Sequence, residues 1–437
     1  MLSDLSVNVP TLHENNLQSS IVKPVLLLEV DIARPIPSVL FIDLSSGQHY
    51  QNGLLLVRMY DQPIGMIELE THDFQIEPNQ VASIIWDALA EEINYWRGEF
   101  DLPGVDQLTA FGLPRSVVPP QHLRERTLIK ESATMISVIV CTHNRPDKLV
   151  RCLKALEMLD YTGFEVIVVD SAPTDDITHK LINSMFPDVY YIKEDDAGLS
   201  KARNRALEVA IGDIIAFTDD DALVDRNWLL EIMRGFRAGS DVTCVTGLTL
   251  PAELETPSQV WFQRHRGRKT HFLRRIFNVT ENPVYTPLHI SFFGAGMNMA
   301  FKKSFLDEIG GFDPALGMGS LTHSGEDVAA YFEVVARGHQ IAYEPGAIVY
   351  HDHRETHEEL RDQIYGYSVG LAACITRIMV TNPNYLRHLP RYLLSGVRYT
   401  AKKSARYPLQ FRLLELKGAL YGPFAYFLSR RKMAKTA

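Results

Sequence analysis

The sequence predicts an α/β protein: a mostly parallel sheet with helices on both faces, preceded by a small α+β domain and followed by a helical, basic extension. Three observations carry that expectation. Between residues 133 and 356, short continuous apolar runs alternate with amphipathic helical patterns, as strands buried on both faces require. One such run, Ile214-Ile215-Ala216-Phe217-Thr218, stops abruptly in Asp219-Asp220-Asp221. The length, 437 residues, gives room for two or three domains around a sizeable core.

The elements follow in order. Residues 1–118 hold strands at 24–30, 54–60 and 65–70, then a helix over 79–96 with Ile84, Ile85, Leu89 and Ile93 on one face. This N-terminal domain has no His/Cys cluster and no Gly-rich phosphate loop, so no role is assigned to it. Pro114, Pro119 and Pro120 break the pattern and mark a linker over 119–132. The 133–356 domain opens with a strand at 137–141. Pro146 and Asp147 then start a helix whose apolar face is Leu149, Leu153 and Leu156. Strands at 164–170, 189–192 and 213–218 are separated by helices over 174–186 and 200–210. A helix is expected from near Asn227 and Trp228, and a strand over 297–301. Residues 357–437 read as helical, and no internal repeat or low-complexity segment is visible.

The triple aspartate is the most informative feature. Three adjacent anions repel one another and hydrate strongly, so a core has little use for them at a strand end. A hard divalent cation, Mg²⁺ or Mn²⁺, removes that repulsion and prefers carboxylate oxygens. Side chains alternate along an extended chain, which sends Asp219 and Asp221 one way and Asp220 the other. In open α/β sheets ligands bind beyond the carboxyl ends of strands, where this cluster falls. The competing reading is a solvated loop, with Asp225 capping the next helix.

Composition narrows the class. Hydrophobic residues make up 46% and charged residues 22%, as in an ordinary globular protein. No apolar run approaches the ~20 residues that span a bilayer. The start lacks the basic and apolar regions of a secretory signal. Cys141, Cys152, Cys244 and Cys374 form no CxxC pair, and three of them sit in apolar surroundings, as reduced thiols do. A cytoplasmic location is expected. Net charge is −9, but from Leu386 onward twelve basic residues face one acid, Glu415, so the tail carries +11 and the preceding chain −20. Arg264, Arg266, Arg268, Lys269, Arg274 and Arg275 form a second basic patch. An acidic body with a basic tail points to a polyanionic surface. Aromatics beside Arg430-Arg431-Lys432 suit an anionic membrane surface on the inner face, with a packed helical cap as the alternative. No recognised nucleic-acid motif is present, and nucleic acid is not an expected partner.

Several short pieces now line up: Ser137-Val138-Ile139-Val140-Cys141-Thr142-His143-Asn144-Arg145, Val168-Val169-Asp170-Ser171, Gly198-Leu199-Ser200-Lys201-Ala202-Arg203-Asn204, Phe217-Thr218-Asp219-Asp220-Asp221, Gly294-Ala295-Gly296-Met297-Asn298-Met299-Ala300-Phe301 and Gly325-Glu326-Asp327. In this order they resemble the family 2 glycosyltransferases, inverting enzymes of the Rossmann-like GT-A fold. The resemblance covers about 133–356 and leaves the N-terminal domain outside.

The resemblance implies roles. Sugar transfer from a nucleotide-diphosphate sugar, expected as a UDP- or dTDP-linked donor, expels two phosphates whose charge Mg²⁺ or Mn²⁺ neutralises. Asp221 is the expected metal ligand, with Asp219 at the ribose or donor sugar and nearer the same ion. Asp170 ends the second strand where relatives contact the base or ribose, though a helix-capping acid occupies the same kind of position. Thr142 and Asn144 lie on the first strand–helix turn, on the nucleotide side, while His143 and Arg145 on the same turn are read as solvated, as a lone His or Arg on such a loop more often is. Arg203 matches the donor-side motif, and its fork also suits a surface ion pair. Asp220, Gly296 and Asn298 complete the expected donor-binding set, Asn298 through sugar hydroxyls. His351 or His353 would complete the metal site, or both are surface polar residues.

Inverting transfer needs one base to take the acceptor hydroxyl proton. The resemblance assigns that base to Asp327, with Glu326 orienting it or the acceptor; both also make a favourable helix N-terminus. The QxxRW motif of processive synthases is absent from the 357–437 extension, which favours transfer of a single sugar to a glycan or lipid-linked acceptor. A sugar nucleotidyltransferase shares the scaffold, but Cys141-Thr142-His143-Asn144-Arg145 lacks the glycines of its first loop. A non-catalytic nucleotide-sugar-binding protein would not need both carboxylate groups.

Overall fold

A computed structural model describes residues 23–43, 46–116, 118–132, 134–265, 271–278, 290, 293–390, 394 and 407–434. Arg266, Arg268 and Lys269 of the second basic patch, and the basic residues between 391 and 406, lie outside them. The chain divides into two compact units. The first is Met1–Leu128 with Pro251–Leu273 and His353–Thr356; the second is Ile129–Leu250, Arg274–Asp352 and His357–Ala437. The stretch expected as a linker is a helix over Gln121–Glu131, and two later segments join the N-terminal unit.

In the first unit β1 (Val25–Asp31) runs parallel to β3 (Asn52–Met59), which pairs antiparallel with β4 (Gln62–Glu70). A short pair, β2 (Val39–Leu40) and β5 (Gln75–Ile76), flanks them. Helix α1 (Pro78–Glu99) places Val81, Ile85, Leu89 and Ile93 in the core with Leu55, Val57 and Ile64. Its period of 3.6 is the one expected from the sequence, with Ile84 only partly buried.

The second unit holds the elements that alternate in the sequence. After α2 (Gln121–Glu131), of which residues 121–128 belong to the first unit, they are β6 (Ile136–Thr142), α3 (Pro146–Glu157), β7 (Phe164–Ser171), α4 (Ile177–Met185), β8 (Tyr190–Glu194), α5 (Leu199–Leu207), β9 (Ile214–Asp219), β10 (Ala222–Val224) and α6 (Trp228–Phe236). Beyond β11 (Val242–Pro251) and α7 (Pro257–His265), the latter in the first unit, come β12 (Arg275–Phe277), β13 (Met299–Lys302), α8 (Lys303–Ile309), α9 (Glu326–Ala336) and β14 (Gln340–His351). Two 25-residue helices, α10 (His357–Thr381) and α11 (Leu409–Met433), end the unit.

The sheet order is β10-β14-β11-β13-β9-β6-β7-β8, with β12 pairing β14. Strands β9, β6, β7 and β8 are parallel, and β13 runs antiparallel to β9 and β11. Strands β6, β7 and β9 are largely apolar on both sides because both sides are covered, whereas the edge strand β8 buries only Ile192. Val138 and Val140 face one core with Leu149, Leu153 and Trp228, whereas Ile139 faces another with Ala202, Phe301 and Tyr331. Away from the site, Arg274 pairs with the buried Glu344 at 2.6 Å.

Two close backbone approaches set the helices around α9. Gly325, just before α9, has φ +101°, and a Cβ there would lie 2.5 Å from Gly370 O in α10. At Gly422 a Cβ would lie 2.5 Å from Val369 O, so α11 rests directly on the α10 backbone. Helix α10 has the length and composition of a membrane span, with mean hydropathy 1.3 over 18 residues, of which 39% is buried in the protein. Isoleucine, valine, leucine, alanine, cysteine and methionine make it apolar on average, while the tyrosines, glycines and serine between them interrupt any long apolar run.

Candidate active site

The parallel ladder decides which residues meet. Thr142 pairs with Asp170 across β6 and β7, and Cys141 pairs with Asp219 across β6 and β9. Three strand ends therefore bring Thr142, Asp170 and Asp219 to one edge of the sheet, where α/β proteins hold ligands. Strand β10 returns antiparallel to β14 with Ala222 opposite His351, which sets that histidine beside Asp221.

The three aspartates diverge. Asp220 turns toward the β6–α3 loop, accepting from Thr142 Oγ1 at 2.7 Å and from Arg145 Nη1 at 3.1 Å. Asp221 accepts from Arg145 Nη1 at 3.3 Å, and its other oxygen lies 3.4 Å from His351 Nε2. Asp219 Oδ1 is 3.6 Å from Arg203 Nη2. Burial pushes the Asp219 carboxyl up against the pull of Arg203, with Asp221 adding to the rise. Burial, then Asp221, pushes Asp220 up to about 6.

Arg203 is buried and joins two elements. Its Nη1 donates to Glu326 Oε1 at 2.9 Å and its Nη2 to Gly296 O at 3.1 Å. The guanidinium also lies 5.5 Å from the Phe217 ring centre and 5.4 Å from that of Phe312. Glu326 Oε2 is buried without a hydrogen-bond partner. Burial and then Asp327 push the Glu326 carboxyl up to about 7, while Arg203 pulls it down. The same contact raises the arginine, so the pair favours the cation and leaves the carboxylate strained by its second anionic neighbour.

Asp327 is half-buried at the start of α9. Its Oδ1 accepts from Val328 N at 2.8 Å, and its Oδ2 lies 3.4 Å from where a Cβ on Gly296 would stand. Five carboxylates (Asp219, Asp220, Asp221, Glu326 and Asp327) are thus set against Arg145 and Arg203. Among the described residues, no group of three or more His, Cys, Asp or Glu side chains is disposed to hold a metal ion on its own.

Asp170 is fully buried at the end of β7, accepting from Tyr191 OH at 3.1 Å; its Oδ1 has no hydrogen-bond partner, and burial pushes the carboxyl up. Asn144 has φ +53° and accepts from Thr174 N at 3.0 Å and Thr174 Oγ1 at 3.1 Å, which ties the first loop to the second.

Two expectations change. Asn298 does not face a sugar: it is fully buried, its Nδ2 donates to Leu248 O at 3.0 Å and Ala347 O at 2.9 Å, and its Oδ1 accepts from Trp228 Nε1 at 2.9 Å. Both donors of the amide and its oxygen are engaged by the sheet and α6. Asn298→Leu should destabilise the protein by roughly 1–3 kcal/mol in urea unfolding, through its orphaned partners. Donor affinity of the folded variant should hold; a selective loss of donor affinity would restore the sugar-binding role. His353 belongs to the first unit, with Nε2 3.0 Å from Gln263 Oε1 and its ring against Phe262. Of the two histidines, His351 is the one beside the aspartates. Arg145 was not among the expected site residues; its signal was its place straight after Thr142-His143-Asn144 at the start of α3.

Residues 137–310 match the family described as glycosyl transferase family 2. Over those residues the chain is similar to that family. A pre-mycofactocin glycosyltransferase of Mycobacterium tuberculosis is 26% identical over 230 residues, covering 52% of this chain and 44% of the relative. A glucosyl-dolichyl phosphate glucuronosyltransferase of Haloferax volcanii is 21% identical over 198 residues, covering 42% and 57%. The chain spans about half the length of these curated relatives. A solved mannosyltransferase of Pyrobaculum calidifontis, in complex with GDP-Man and Mn²⁺, aligns with a TM-score of 0.43 and 19% identity over 71% of this chain and 95% of that one.

Proposed function

We propose that the protein is an inverting glycosyltransferase that moves one sugar from a nucleotide-diphosphate sugar to an acceptor hydroxyl in the cytoplasm. The observation that carries this reading is the Arg203 guanidinium, which contacts Asp219 at a strand end and Glu326 beside Asp327 at a helix start. Donor-side and acceptor-side carboxylates thereby flank one cation.

The chemistry follows from the residues. Asp170 receives the nucleoside at the end of β7, and Thr142 with Asn144 shapes the loop that covers it. The acceptor oxygen attacks the anomeric carbon as the bond to the diphosphate breaks, and its proton passes to Asp327 Oδ2. The Val328 N–H orients that carboxylate, and the charge of Arg203 offsets the repulsion between it and Glu326. Inversion needs no covalent intermediate and therefore no second carboxylate in line.

A divalent cation fits this donor set. Five carboxylates against two guanidiniums leave surplus negative charge, and two of them with an imidazole are ligands that Mn²⁺ or Mg²⁺ accepts. Among the described residues no complete cage exists, so the remaining ligands of such an ion would be donor phosphates. Asp221, Asp219 and His351 would hold it, and it would supply charge neutralisation to the leaving diphosphate. A uridine or thymidine base and a glycan or lipid-linked acceptor complete the proposal.

A panel of nucleotide sugars, including guanosine-linked ones, tests it by nucleotide-diphosphate release with and without Mn²⁺. Release with at least one donor, stimulated by Mn²⁺, is expected. Asp221→Ala should abolish Mn²⁺-dependent donor binding by calorimetry while Tm holds or rises, because crowded anions are relieved. Full activity in EDTA would remove the metal from the proposal. Pyrophosphate release from a nucleoside triphosphate and a sugar phosphate would show a nucleotidyltransferase instead.

A further inference from the structure

Helix α11 is apolar on two opposite sides. One side, with Phe411, Gly418, Gly422, Ala425 and Ser429, is buried, in part against α10. The other carries Leu409, Leu413, Leu416, Leu420, Phe424 and Phe427, spaced by three or four residues, all exposed to solvent. Leu409, Leu420 and Phe424 are 70%, 67% and 68% exposed. The row spans 19 residues, or about 27 Å of helix. An unbroken apolar row of that length on a well-packed helix marks a contact surface.

Its chemistry selects the occupant. Arg412, Lys417, Arg430, Arg431 and Lys432 accompany the row on α11, against Glu415 alone. A second copy of the chain would bring a like-charged rim against this one, whereas an anionic bilayer supplies the opposite charge. The exposed row has the proportions of an interfacial helix, with leucine and phenylalanine entering the acyl boundary and cations among the headgroups. We infer that α11 lies in the surface of an anionic membrane, its glycine side held on α10 and its leucine–phenylalanine side in lipid. This inference stands apart from the transfer chemistry, since it uses no residue of the catalytic edge.

The full chain should float with vesicles containing about one third phosphatidylglycerol and not with pure phosphatidylcholine vesicles. Leu420→Glu/Phe424→Glu should abolish flotation without lowering Tm, because both positions are solvent-facing. Arg430→Gln/Arg431→Gln should weaken binding roughly fivefold per charge removed, and added salt should mimic it. Leu420→Trp should be quenched by brominated lipids only in anionic vesicles, which reads insertion without depending on a disruptive variant. The inference fails if the chain ignores anionic vesicles, or if Leu420→Glu/Phe424→Glu converts a dimer to a monomer while vesicle binding persists. Vesicle binding that survives alkaline carbonate extraction would point to α10 as a span and overturn the surface-lying geometry. Loss of sugar transfer with vesicle binding intact would count only against the proposed reaction.

Discussion

Replacing Asp327 with asparagine should lower turnover by on the order of 10²–10⁴ while leaving donor affinity and folding in place, the usual worth of a positioned general base. Asparagine retains the Oδ1 that accepts from Val328 N and so keeps the cap of α9. What it removes is the proton acceptor at the Oδ2 position, next to Gly296. Calorimetry of donor binding and a melting curve separate the two contributions. Near-normal turnover with donor binding intact would move the base elsewhere, with Glu326 the next carboxylate to test. Unfolding of the variant would show that the residue acts through the helix start alone.

The second large effect is on stability. Arg203→Met should cost about 3–5 kcal/mol, because it leaves Glu326 and Asp219 without their buried cation. Lysine should not rescue it, since one ammonium cannot reproduce a fork that meets Glu326 Oε1 and Gly296 O together. Arg203→Met/Glu326→Leu should recover part of the loss, since the second change removes the stranded carboxylate. Urea unfolding measures all three. A cost below about 1 kcal/mol for Arg203→Met would mean that water reaches the pair and that it does not brace the site.

The parallel half of the sheet was legible because each strand is a continuous apolar run bounded by polar turns, and β6, β7 and β9 appear within a residue or two of their expected places. The triple aspartate was only partly legible: Asp220 does turn toward Thr142, but it and Asp221 form a turn beyond β9 and share Arg145, while Asp219 meets Arg203. The antiparallel half was less visible. Strand β11 pairs with β13 some fifty residues later, and no local pattern records a partner that far away. Asn298 was misread because an asparagine in a glycine-rich turn carries the same local signal whether it faces a ligand or three backbone and indole groups. Arg145 was passed over for the converse reason, as only the folded loop brings it to Asp220 and Asp221. Segments 251–273 and 353–356 joined the first unit through contacts distant in sequence, which proline and glycine punctuation cannot report.

Strand β14 lies between β10 and β11, although the chain reaches it only after every other strand has been made. A gene fragment trimmed to the family match, residues 137–310, would omit it together with Glu326, Asp327 and His351. Such a fragment would leave β10 and β12 without a neighbour and expose the inner edge of β11, inviting edge-to-edge aggregation. On a ribosome, the sheet stays open until residue 351 has emerged, so closure of the fold and arrival of the last polar groups of the catalytic edge are one late event. The smallest autonomous piece is therefore set by where the sheet closes, beyond the end of the recognisable sequence signature.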